Sequence, residues 1–247
     1  MIRLTAWCLA FGASIAGFCG VAVAQESRVG TMSLTAIVES MEKTRVAIRP
    51  QVSYQVVREY RLLGANNSSA DSDVVAEMDF RPPASKAYRI RKWTGSNRGP
   101  QVVRRVLEHE VEAASNSNQI RTALSRDNYD FTDLGQTTLD GRPCYLLGLK
   151  PRRKETDLVL GQVWVDKHTF VARQIEGEAA KTPSWWLKKI HVKLTFAEVE
   201  GTWLQTGMEA VADVRMMGSH TLKSRMLDYR GADEVASTSI EIRSTNR

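Results

Sequence analysis

The sequence predicts a mainly antiparallel β protein of the α+β class: an open, curved β-barrel with a helical lid, in one domain over residues 25–247. Three observations carry this. Apolar and polar residues alternate with a period of two in many short runs between Val52 and Tyr229. The connections between runs are brief and carry hairpin pairs such as Asp140-Gly141 and Glu200-Gly201, which suit antiparallel and not parallel pairing. Only two stretches have helical spacing, so they alone are available to cover the apolar face of a long, curling sheet.

The elements follow in order. In residues 1–24 Arg3 is the only charge, an apolar run spans Leu4 to Phe18, and Ala22-Val23-Ala24 supplies small residues before Gln25. This is the pattern of a cleaved secretory signal, so the mature chain is expected to begin at Gln25, in the periplasm. Phe18 before Cys19 is too bulky for the usual lipoprotein cleavage site, which argues against a lipid anchor. Residues 33–49 read as a helix: Leu34, Ile37, Val38, Met41, Arg45 and Ile48 fall at steps of three or four, Ser33 is placed to cap, and Pro50 stops it. Val52, Tyr54, Val56, Tyr60 and Leu62 then alternate, with Arg58 as the break in the apolar series. A polar loop over 64–73 leads to a second strand at Val74–Phe80, ended by Pro82-Pro83, and a third at 86–93. A helix is expected over 101–113 from Val102, Val103, Val106, Leu107 and Val111, and a short one over 119–125. The remaining strands are expected at 128–134, 143–149, 161–166, 170–176, 188–199, 207–217 and 221–229, with a further one at 238–243.

Composition limits the function. With 43% hydrophobic and 25% charged residues the chain is an ordinary packed protein and not a disordered one. A net charge of +6 would suggest nucleic acid for a cytosolic protein, but export leaves anionic lipid headgroups as the more available partner and no nucleic acid is expected. Cys8 and Cys19 leave with the leader, so Cys144 stands alone and is read as a buried strand residue. His109, His168, His191 and His220 are scattered, and no zincin, P-loop, dinucleotide or nucleophile-elbow motif is present. Asp166 is read as a turn-opening residue, and His191 as a solvated side chain beside lysines. The basic run Lys150-Pro-Arg-Arg-Lys154 is read as solvated, with phosphate contact as the alternative. No metal, cofactor or enzyme activity is expected. Trp93, Trp164, Trp185, Trp186 and Trp203 lie in or beside strands, where aromatics either fill a core or line an acyl-chain pocket.

Gly141-Arg-Pro-Cys-Tyr-Leu-Leu147, Gly161-Gln-Val-Trp-Val-Asp-Lys167 with Phe170 and Arg173, Ser184-Trp-Trp, Gly201-Thr-Trp-Leu204 and Asp228-Tyr229 together resemble the outer-membrane lipoprotein-sorting protein family, whose members are LolA-like periplasmic carriers. The resemblance implies about eleven strands, a helical lid and a hydrophobic cavity for acyl chains of lipoproteins or phospholipids. It also implies an inner-membrane donor and an outer-membrane acceptor. It points to Arg81, in the pair Arg81-Pro82, as the arginine that bonds the lid closed. The expected lipid-binding residues are therefore Arg81, Trp93, Leu34, Ile37, Val38, Met41 and Trp164, with an unfilled space beneath the helix at 33–49. A monomer is expected. The alternatives are an envelope-stress sensor or interaction module of the RseB type on the same barrel, and a periplasmic hydrolase.

Overall fold

The computed structural model describes residues 32–65 and 70–232. The expected leader at 1–24 and the expected strand at 238–243 lie outside the described residues. Helix α1 spans Leu34–Ala47, strands β1 Tyr54–Leu63, β2 Ala70–Arg81 and β3 Ser85–Gly95 follow, and then helices α2 Arg98–Ala113 and α3 Asn116–Thr122. The rest is a meander: β4 Tyr129–Leu139, β5 Arg142–Pro151, β6 Val159–Asp166, β7 Ala172–Ala179, β8 Leu187–Val199, β9 Thr202–Val214 and β10 Gly218–Arg230. Among the described residues the strands number ten, all antiparallel, in the order β3-β2-β1-β10-β9-β8-β7-β6-β5-β4. The sheet is open, with β3 and β4 as its edges.

Local chemistry explains the boundaries. The Ser33 side chain accepts the Ala36 amide at 3.3 Å and opens α1, satisfying one of the first-turn donors that have no partner in the helix. Asp140-Gly141 and Glu200-Gly201 both have positive φ, 48° and 75°, then 47° and 78°. Two successive left-handed residues make a tight turn whose twist matches the flanking strands, and glycine takes the second place without a Cβ penalty. Several boundaries depart from the periodic reading, β4 among them, which runs on to Leu139 and not 134. Strand β2 begins at Ala70, inside the stretch read as loop, and β9 begins at Thr202 and not at 207. In β9 most side chains on both faces are half-buried, so hydropathy does not alternate there.

Two apolar clusters hold the sheet. Helix α2 rests on β1, β2 and β3, placing Val103 and Leu107 among Tyr54, Val56, Tyr60, Met78 and Phe80. Helix α1 is packed with β4–β6: Ile37, Val38 and Met41 are buried with Tyr129, Leu147, Leu149, Val163 and Val165. Truncating one such buried aliphatic side chain to alanine removes about 2–5 kcal/mol.

Candidate functional site

Cross-strand pairing shows that both clusters lie on one face. Tyr60 pairs with Ser224, Ser224 with Met208, Met208 with Leu194, Leu194 with Ile175, Ile175 with Val163 and Val163 with Leu147. Partners across a ladder point to the same side, so this row begins under α2 and ends under α1. Between its ends, Ile190, Val192 and Leu194 of β8 and Ala210 and Ala212 of β9 belong to neither cluster and are only partly buried. Among the described residues the inner face thus has two ends covered by helices and, between them, a partly buried apolar strip that belongs to neither cluster.

A second row hollows that strip. Leu222, Ala210, Val192, Gly177, Gly161 and Leu149 are successive partners, so its centre holds side chains no larger than valine. The two glycines also meet closely: a Cβ at Gly161 would fall 2.1 Å from the Glu176 carbonyl, and one at Gly177 would fall 2.3 Å from the Leu160 carbonyl. β6 and β7 approach here as only glycine permits. The opposite face has a depression of about 550 Å³ lined by Glu59, Arg61, Lys193, Glu209, Lys223 and Arg225. Its charges face one another, with Arg225–Glu59 at 2.6 Å and Lys223–Glu209 at 3.2 Å. An acyl chain gains nothing among such groups, whereas the inner strip offers it apolar contact.

The wall formed by α2 is fixed by charge as well as packing. Arg58 is buried on β1 and donates to Glu110 of α2 at 2.8 Å, and Lys86 of β3 reaches the other oxygen at 2.7 Å. Burial alone would raise the Glu110 carboxyl, but the two cations, Arg58 ahead of Lys86, outweigh it and hold the group at about 2. Beside this pair, burial pushes the Tyr54 hydroxyl up to about 12. The residue that interrupts the apolar series of β1 is therefore the one that ties helix to sheet. Its inward parity, on the same face as Tyr54, Val56 and Tyr60, is the sequence signal that identifies it.

The residues expected from sequence fall in three groups. Ile37, Val38 and Met41 are packed core, with Leu34 partly buried at the edge of the same cluster; α1 seals these side chains against β4–β6, and the apolar strip lies beside it on β8 and β9. Trp164 is half-buried on β6, between Val163 and Val165, so it points to the face away from α1. Trp93 is 52% exposed on edge strand β3. Arg81 is exposed at the end of β2, next to Phe80, which is buried on the α2 side, so it faces away from the helix. The arginine that the structure joins to a helix is Arg58, paired with Glu110 of α2, and not Arg81.

Other groups are accounted for locally. Asp166 is buried and accepts the amides of His168 and Thr169 at 2.9 and 3.0 Å; burial raises its carboxyl, and these amides, with Arg173, outweigh that and lower it. This is an Asx turn. Cys144 is fully buried, and burial, followed by the nearby Asp166 carboxylate, pushes its thiol up. Within the basic run, Arg152 pairs with Asp130 at 2.9 Å and Arg153 with Glu155 at 3.1 Å, leaving Lys150 and Lys154 exposed.

Topology and site define the class: an open antiparallel barrel with helices on its inner face and an apolar strip between them, the architecture that the sequence resemblance implied. A family model described only as an uncharacterized protein matches residues 114–234. No curated protein matches the chain. An outer membrane lipoprotein-sorting protein domain from Vibrio parahaemolyticus is 13% identical, with 78% of this chain and 91% of that chain covered and a TM-score of 0.41. A DUF1329 family protein from Desulfovibrio piger is 15% identical, with 81% and 94% covered and a TM-score of 0.40. A LolA superfamily protein from Nitrosomonas europaea is 13% identical, with 81% and 94% covered and a TM-score of 0.36.

Proposed function

We propose that the chain is a periplasmic carrier that holds acyl chains of a lipid or lipoprotein along the strip formed by β8 and β9 and delivers them toward the outer membrane. The observation that carries this reading is the strip itself: Ile190, Val192, Leu194, Ala210 and Ala212 are only partly buried on the face whose two ends are closed by α1 and α2. Each methylene taken from water contributes about 0.8 kcal/mol. A groove that covers a chain on one side realises part of this, which favours capture and still allows release. The small side chains of the row through Ala210, Val192 and Gly177 leave depth where the chain would lie. No bond is made or broken in this role.

Titration of the delipidated protein with an environment-sensitive acyl dye tests it. Binding should saturate at about one dye per chain, long-chain lipids should displace it better than short-chain ones, and Val192→Glu should abolish it without unfolding the protein. Absence of saturable binding, or displacement independent of chain length, would leave the interaction-module or sensor reading. Turnover of ester or phosphate substrates would favour the hydrolase.

A further inference from the structure

We infer that the paired tips at one end of the strip, the β7–β8 loop and the β9–β10 turn, form a docking element for an anionic lipid bilayer surface. The two tips are built as one unit. The Arg215 amide donates to the Trp186 carbonyl at 2.9 Å, and its guanidinium Nε donates to the Trp185 carbonyl at 2.9 Å. Directly behind them Leu187 pairs with Val214. This unit exposes Trp185 at 83% and Met216 at 102%, together with much of Trp186 and Met217. Single exposed apolar residues are ordinary, but four on adjoining tips form a patch. Met216 is held at φ 66°, a conformation unfavourable for a side chain of its size, and the clamp maintains it.

Charge selects the occupant. Lys181, Lys188 and Arg215 are exposed beside these side chains, and among the described residues none has a carboxylate within ion-pair distance. The nearby acids are engaged, Glu178 by Lys189 and Asp213 by Ser219. Indole rings and thioethers flanked by lysine and arginine suit the boundary between acyl chains and headgroups, where the rings sink and the cations stay hydrated against phosphate. A narrow tip also suits a fluid surface better than a protein partner, which needs about 800 Å² of matched surface. The inference stands on the tips alone and does not require the strip to hold acyl chains.

Flotation of the protein with phosphatidylcholine vesicles, with and without phosphatidylglycerol, tests it. The protein should float with the phosphatidylglycerol vesicles and release at high salt. Trp185→Ser with Met216→Ser should weaken this about tenfold, and Lys181→Gln and Lys188→Gln about fivefold each. Acyl-dye binding and thermal unfolding should stay at wild-type values in all of them, which separates the tips from the strip. No flotation with phosphatidylglycerol vesicles would overturn the inference, as would equal flotation of the Trp185/Met216 variant. Conversion of a wild-type dimer to a monomer by that variant, without vesicle binding, would assign the tips to self-association and overturn it too.

Discussion

Arg58 on β1 and Glu110 on α2 are joined at 2.8 Å across the inner face of the sheet. The pair fixes the position of α2 over β1–β3 and so the height of one wall beside the strip. A buried cation stripped of its partner costs far more than the pair itself contributes.

Glu110→Gln should therefore destabilise the protein by about 3 kcal/mol, read as a lowered midpoint in urea. Arg58→Met leaves the Glu110 carboxylate its second cation, Lys86 at 2.7 Å, and should be milder. Arg81→Leu, on the exposed end of β2, should stay within about 0.5 kcal/mol of wild type. A bound acyl probe should dissociate at an altered rate from the Glu110 variant and at the wild-type rate from the Arg81 variant.

The same pair sets an acid limit. The Glu110 carboxyl is held at about 2, below its ordinary value of 4.5. A carboxylate depressed in the folded state adds stability that is fully present above its unfolded value and is lost as pH falls through the folded one. Here that is about 3 kcal/mol, present above about pH 4.5 and lost toward pH 2. Chemical denaturation from pH 6 down to pH 2 should show this slope in the wild type and a shallower one in Glu110→Gln.

Much of the fold is legible in the sequence because its cues are local. The Ser33 cap, Pro50, and the Asp140-Gly141 and Glu200-Gly201 turns each act within a few residues. What stays hidden depends on partners far along the chain. Arg58 interrupts an apolar series, and nothing nearby indicates that Glu110, 52 residues later, accepts from it. The start of β9 is obscured because both of its faces are half-buried, so the period of two disappears. The strip is invisible in any one strand, since it is defined by what α1 and α2 leave uncovered.

The Gly161–Gly177 contact makes a sharp mutational prediction. Either glycine changed to alanine would place a Cβ within 2.3 Å of a backbone carbonyl on the neighbouring strand. Backbone cannot rotate away as a side chain can, so each should cost about 1–3 kcal/mol. Gly148→Ala meets only side-chain atoms, at 3.4 Å and beyond, and should be close to neutral. Thermal midpoints of the three variants check the ranking.

Cys144 should behave as a sealed core group. It is fully buried and its thiol is pushed up by burial and then by Asp166, so little thiolate forms and little reagent reaches it. A thiol-reactive probe should leave it unmodified in the native protein at pH 8 and label it in denaturant. Rapid labelling of the native state would show that β5 opens.

The strand order also dictates how the sheet must be assembled in time. Eight of the nine strand pairings join sequence neighbours, in a three-strand unit, β1 to β3, and a seven-strand run, β4 to β10; only the seam between β1 and β10 joins them. Those two units can form from short-range pairings, which are quick to find. The seam must wait for β10, and it closes a loop of well over a hundred residues, with Gln55 meeting Arg230. Without that seam the inner face would have no continuity, and α1, which precedes β1 in the chain but packs on β4–β6, would sit on a different piece of sheet from the strand that follows it. The last strand described is thus the one that turns two independent pieces into a single surface.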